Sequence, residues 1–315
     1  ADLIICANPS GRLFLCLLPA LPWSSIITSL PCIPGQQQVA CVMAFDEALV
    51  ADSLRVYYDA EASQRDRGAI QGWKRVERQR FVDAVHAQDR STGTGAEATP
   101  CMLELGSGPG RDAQYFSEEC GFNVVACLDL SAEMAAKCRQ RGLRATACDF
   151  TVTGAIGRVA AECSLDAVYA MNSLLHVPKH RVPVLLSEIA KAMRPGGVLF
   201  VGLYGGEDFE GPWHGDPSGH RRFFAYYTDE ALREVLCPPS AQPLFTIHSF
   251  DCVDPGTSRG GSAQYHFQSV VLQRTASSLA GVAHQRGVQL EASWQQRTEV
   301  MPQSVWDWQY VTNWS

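Results

Sequence analysis

Leu103-Glu104-Leu105-Gly106-Ser107-Gly108-Pro109-Gly110-Arg111-Asp112 is an apolar run that passes through three alternating glycines into a helical pattern. Glycines at such a strand-to-helix turn let the backbone turn sharply. They also leave room for a ligand to lie against main-chain N–H groups at the helix start. The spacing is not the dinucleotide fingerprint G-x-G-x-x-G, because aligning Gly106 and Gly108 puts Arg111 where the third glycine belongs. Asp129 ends the next apolar run about 20 residues on, where a carboxylate can accept both hydroxyl hydrogens of a ribose. Nicotinamide-dinucleotide enzymes share that acidic position, so it does not discriminate alone.

Three further runs complete the pattern: Cys127-Leu128-Asp129-Leu130-Ser131 at the end of the second strand, Cys148-Asp149-Phe150 after the third, and Met193-Arg194-Pro195-Gly196-Gly197 before the fifth. Together with the E-x-G-x-G-x-G run they make residues 100–206 resemble a class I S-adenosylmethionine-dependent methyltransferase, and the likeness extends more loosely over 57–274. The resemblance implies S-adenosylmethionine as cofactor, with Glu104, Gly106, Gly108 and Gly110 around its methionine part. It places Asp129 at the ribose, Asp149 at the adenine amino group, Phe150 and Met134 against the ring, and Asn172 near the sulfonium, with Leu130 also among the cofactor-binding residues. Phe150 and Met134 also read as plain core residues, and Asp112 equally as a carboxylate favoured at the start of a helix. His176 stands where the family often has a histidine; its simpler reading is a side chain that fixes its loop through a backbone hydrogen bond.

These residues must be positioned by regular elements. Short apolar runs alternate with helical patterns from residue 100 onward, the signature of βαβ units and a parallel sheet. Strands are expected at 101–105, 123–128, 144–147, 166–171, 198–203, 244–250 and 263–272, and helices at 111–119, 132–141, 179–193 and 229–236. The last two strands, joined by the Gly-rich turn 254–261, predict an antiparallel hairpin at one end of the sheet. The fold class expected is therefore α/β: a Rossmann-like, seven-stranded, mostly parallel sheet with a terminal antiparallel hairpin and helices on both faces. The loop 207–227 mixes aromatic and charged residues as a ligand lid does, with His214 and His220 its candidate bases should the acceptor have to lose a proton. Phe223, Phe224 and Tyr227 read equally as anchors of that loop. Upstream, Trp73, Val76, Phe81 and Val85 return at helical spacing, and Tyr57-Tyr58-Asp59 and the helix near Trp73 are expected to close the cleft from the other side, while 88–99 is a polar linker or surface loop.

The chain divides on this reading into 1–42, a targeting segment or a non-functional extension; 43–99, a helical cap and linker; 100–274, the methyltransferase domain; and 275–315, a tail with four tryptophans and no clear period. The net charge of -7 argues against nucleic-acid or anionic-membrane partners, which need a positive field. The apolar run Leu13–Trp23 is too short to span a bilayer, which takes about 20 residues. Twelve cysteines lie scattered with no metal-ligand spacing and read as reduced thiols, favouring a cytoplasmic setting over an organelle or secretory one. The expected function is methyl transfer to an acceptor, preferably a small molecule. Its rivals are a non-catalytic protein that binds the same cofactor and, disfavoured by Arg111, a NAD(P)-dependent dehydrogenase.

Overall fold

The computed structural model describes residues 3–7, 13–17, 47–88, 99–213, 216, 218–220, 222–254 and 265–276. His214, most of the linker 88–99, most of the Gly-rich turn, the tail beyond 276 and most of 1–42 lie outside the described residues. Near the N-terminus, β1 (Leu3–Ala7) and β2 (Leu13–Leu17) pair antiparallel. Two helices follow, α1 (Glu47–Arg67) and α2 (Gly72–His86). The alternating part then runs β3 (Cys101–Leu105), α3 (Arg111–Glu118), β4 (Asn123–Asp129), α4 (Ala132–Gln140), β5 (Ala145–Ala147), β6 (Leu165–Met171), α5 (Val182–Ala192) and β7 (Met193–Gly205). The chain closes with β8 (Phe209–Pro212), β9 (Phe223–Tyr226), α6 (Asp229–Leu236), β10 (Phe245–Val253) and β11 (His266–Arg274).

Seven strands form one sheet in the order β10-β11-β7-β6-β3-β4-β5. Neighbours from β7 to β5 are parallel, and β11 is antiparallel to both β7 and β10. The expected fold class is thus the observed one. The chain leaves β3 towards β4 on one side and returns to β6 on the other, so β3 and β6 form the topological switch point at which open α/β sheets hold ligands.

The strand pleat sorts the core. Leu103, Leu105, Val168, Ala170, Leu199 and Val201 face the layer that includes Leu185, Ile189, Leu232 and Leu236 of α5 and α6. Met102, Ala167, Tyr169, Val198 and Phe200 face Phe81, Val82 and Val85 of α2 and Phe116 of α3. Tyr169 stacks on Phe200 at 4.8 Å between centroids, and Phe81 lies 5.0 Å from Tyr169. Aromatic pairs of this kind add about 0.5–1.5 kcal/mol beyond their buried area. The helix α2 therefore shares the core of the sheet. Its buried face includes Phe81, Val82 and Val85, while Val76, expected on that face, is exposed.

Two expectations need correction. The helix expected over 179–193 begins with a short 3-10 turn, becomes α-helical at Val182 and ends at Ala192; Met193 already pairs with Leu165. Pro195-Gly196-Gly197 is accommodated as an irregularity in β7, because Leu165 opposes Met193 but Ala167 opposes Val198. The stretch 207–227, read as a loop, contains the antiparallel pair β8–β9, in which Phe209 faces Tyr226 and Pro212 faces Phe223. Among the described residues, no helix is long and apolar enough to cross a membrane.

Candidate active site

A cavity of about 560 Å³ opens at the switch point, within the usual range of small-ligand sites. Nine of the ten residues expected at the cofactor line it: Glu104, Gly106, Gly108, Asp129, Leu130, Met134, Asp149, Phe150 and Asn172. Gly110 is the tenth and is not on the wall.

The three glycines differ in what demands them, although all have positive φ, at +67°, +55° and +81° for Gly106, Gly108 and Gly110. A Cβ on Gly106 would run into Ser173 Cβ, so this glycine lets the turn after β3 pack on the segment after β6. A Cβ on Gly110 would meet Cys138 Sγ at 2.8 Å and Leu143 Cδ1 at 2.9 Å, so this one lets α3 start against α4. A Cβ on Gly108 would meet nothing within 4 Å among the described residues. Gly108 borders open space, as a glycine does where a ligand approaches the backbone.

Asp129 ends β4 buried, and two backbone donors hold its carboxylate: Gly108 N–H to Oδ2 at 2.7 Å and Ser131 N–H to Oδ1 at 2.9 Å. Burial pushes its pKa up against these two hydrogen bonds. Glu104 is buried at the end of β3; burial and then the nearby Asp112 charge push its pKa well above the ordinary carboxylate range. Among the described residues its Oε2 has no hydrogen-bond donor, and neither has the buried Oδ1 of Asn172, which sits at φ +55° after β6. Buried polar atoms without partners cost about 1–3 kcal/mol each. Asp149 turns its Oδ1 to Thr151, accepting from the backbone N–H at 2.8 Å and from the hydroxyl at 2.6 Å. Met134 and Phe150 are buried, as their core reading expects, and also border the cavity.

The segment Tyr57-Tyr58-Asp59, expected to close the cleft, lies on α1, and Tyr58 is on the cavity wall. Asp59 of α1 accepts from Ser131 Oγ at 2.6 Å and from Glu133 N–H at 3.2 Å, while Asp66 of the same helix pairs with Arg141 and Lys137. These bonds lay α1 across the start of α4, so that Leu54, Tyr58 and Arg65 join the wall. His176 spends both ring nitrogens on structure: Nδ1 donates to Phe223 O at 2.7 Å, and Nε2 accepts from Tyr58 Oη at 2.6 Å. Burial lowers its pKa to about 3, so the ring is neutral at neutral pH. The backbone-hydrogen-bond reading of His176 is the observed one, although the carbonyl lies on β9. Asp112 accepts from Arg78 Nη1 at 3.0 Å while bordering the cavity. Phe224 is buried and lines the wall, and beside it Arg222 is held bidentate by the buried Asp216 at 2.7 and 3.0 Å. His220 is exposed, lies 5.4 Å from the Tyr57 ring and is not on the wall.

Residues 102–197 match the family model described as a methyltransferase domain. This segment is a methyltransferase domain. The methyltransferase domain is similar to phosphoethanolamine N-methyltransferase 2 of Caenorhabditis elegans, at 30% identity over 106 residues, 33% of this chain and 24% of that protein. It is also similar to trans-aconitate 2-methyltransferase of Mycobacterium tuberculosis (strain ATCC 25177 / H37Ra), at 31% identity over 120 residues, 38% of this chain and 42% of that protein. The matches thus span less than half the length of these curated relatives. In fold, the chain resembles the Burkholderia thailandensis 1,6-didemethyltoxoflavin-N1-methyltransferase, whose crystal structure holds 1,6-didemethyltoxoflavin and S-adenosylhomocysteine. The TM-score is 0.51 and the identity 20%, over 75% of this chain and 93% of that one.

Proposed function

We propose that this protein transfers the methyl group of S-adenosylmethionine to a small-molecule acceptor bound in the same cavity. The observation that carries the reading is the pair of buried, donor-less acceptors, Glu104 Oε2 and Asn172 Oδ1, on the wall of a cleft at the switch point. The residues fit the cofactor chemically. Its ammonium group supplies the protons that buried acceptors lack, its ribose hydroxyls suit the free lone pairs of Asp129, and its methionine backbone suits the open space at Gly108. Asp149, Phe150, Met134 and Leu130 would then bound the adenosine end.

The cofactor supplies an electrophilic methyl group on a sulfonium, which departs as a neutral thioether. The chain's contribution is alignment and a site shielded from water. Met171 and Asn172 end β6 at the cleft, and Leu54 and Tyr58 cover it from α1. His176 offers no ring nitrogen to an acceptor while it holds Tyr58 and Phe223. A cavity of this size walled by Tyr204, Tyr226 and Tyr265 favours a small molecule over a macromolecule, in keeping with the relatives' names.

Calorimetry with S-adenosylmethionine on the full chain, followed by an acceptor screen that scores S-adenosylhomocysteine, tests this reading. Binding to wild type should weaken in Asp129→Ala by about 1.5–3 kcal/mol for each charge-assisted bond lost. An unchanged dissociation constant in that variant removes Asp129 from the site. Binding without turnover on any acceptor favours a cofactor-binding protein instead.

A further inference from the structure

Away from the cleft, side chains from three elements converge. Asp229 opens α6, Cys252 lies near the end of β10 and His266 begins β11. Cys252 pairs with Gln268 across the ladder, and His266 lies two residues from Gln268 on β11, so the pleat sends Cys252 and His266 to one face of the sheet. One ligand atom from each of the three lies within 4.8 Å of the others. His266 Nε2 is 2.9 Å from Asp229 Oδ1, and Cys252 Sγ is 3.3 Å from Asp229 Oδ2. Behind them Gln268 Nε2 donates to Asp229 Oδ1 at 2.6 Å and to Tyr227 O at 3.1 Å, which fixes the carboxylate from the core side. Asp229 and His266 are half-buried and Cys252 is exposed, so an ion has a path from solvent.

We infer that Asp229, Cys252 and His266 form a binding site for one borderline divalent cation, of which Zn²⁺ is the type. A thiolate, an imidazole and a carboxylate at mutual ligand distance are the donors such an ion takes, whereas Mg²⁺ and Ca²⁺ prefer oxygen alone. The ion replaces the hydrogen bonds that His266 and Cys252 now make to Asp229, while that from Gln268 stays. Cys252 releases its S–H proton to solvent, neutral His266 ligates through Nε2 with its proton on Nδ1, and water completes the tetrahedron; no electron moves. Gln268 stands as the orienting partner behind a ligand. The ion would clip the start of α6 to the hairpin ends beside Tyr265, which lines the cleft, and this holds whether or not methyl transfer is the activity. Ligand-spacing rules could not find the site, because the donors come from three separate elements.

Titration of the chelator-stripped full chain with Co²⁺, followed by Zn²⁺, tests the site. The expected result is one equivalent bound with a thiolate-to-cobalt charge-transfer band that Zn²⁺ displaces. Cys252→Ala should abolish the band, His266→Gln should weaken binding by about tenfold or more, and Cys163→Ala, at another exposed cysteine, should change nothing. In wild type, Zn²⁺ should also slow alkylation of Cys252 by iodoacetamide, read by mass spectrometry, which needs no variant. A band that survives Cys252→Ala, no saturable binding, or alkylation of Cys252 indifferent to Zn²⁺ overturns the inference.

Discussion

Gly108 and Gly110 stand two residues apart with the same left-handed backbone, yet their environments assign them different work. An alanine at either position carries the left-handed penalty of about 1–2 kcal/mol. At Gly110 the methyl group also meets Cys138 and Leu143, and overpacking of that kind costs about 1–3 kcal/mol more. Gly110→Ala should therefore lower the melting temperature more than Gly108→Ala. Gly108→Ala should lose more cofactor affinity per degree of stability lost, because its methyl group projects into open space where a ligand is proposed to lie. Parallel thermal melts and calorimetry on the two variants decide this, and equal effects on both readouts would refute the division of roles. Spacing alone marks all three glycines alike. What separates them is what lies opposite, and that is a property of β6 and α4.

At the scale of elements, His176 ties the segment after β6 to β9 through Phe223 and to α1 through Tyr58. The tie needs a neutral ring: Nε2 must accept from Tyr58, and protonation would place a second donor against the phenol. Folding holds the pKa at about 3 against an ordinary 6.5. Its contribution is therefore complete above pH 6.5, and it is lost as the pH falls towards 3, because the unfolded chain takes up the proton first. The slope approaches about 1.4 kcal/mol per pH unit for one proton. Denaturant melts between pH 7 and 4 should show wild type losing stability more steeply than His176→Gln, which keeps a donor for Phe223 O and does not titrate. Equal slopes would mean that the ring is not held neutral. The sequence shows a histidine in a loop; that its partners lie 47 and 118 residues away follows only from the way β9 and α1 close over the cleft.

For the whole molecule, packing offers a test of where the folded unit ends. Thr275 is anchored beyond β11, its N–H donating to Leu244 O at 3.0 Å and its Oγ1 to Pro243 O at 2.6 Å. At the other end α1 is held by Asp59 and Asp66, and α2 is built into the core through Phe81 and Val85. Limited proteolysis of the full chain should leave a resistant fragment that retains α1 and α2 and ends shortly after Thr275. Mass spectrometry of that fragment reads both ends. Protection that extends through Trp306 and Trp308 would place the C-terminal segment within the fold, and loss of α1 would detach it from the cleft.

The order of strands and helices from β3 to β7, the Gly-rich turn and the carboxylates Glu104, Asp129 and Asp149 were all legible in the sequence. Parallel strands buried on both faces must be written as short apolar runs, and a backbone that turns against a ligand must be written with glycine; both signals are local. The tertiary structure decided the rest. It alone paired β8 with β9, which have few residues and little alternation to announce them, and supplied the partners that hold Tyr57-Tyr58-Asp59 of α1 over the cleft, more than seventy positions away along the chain. It also spent Gly110 on helix packing and His176 on a structural bridge, and drew Asp229, Cys252 and His266 together. Each of these depends on which side chain arrives from a distant element, and periodicity carries no information about that.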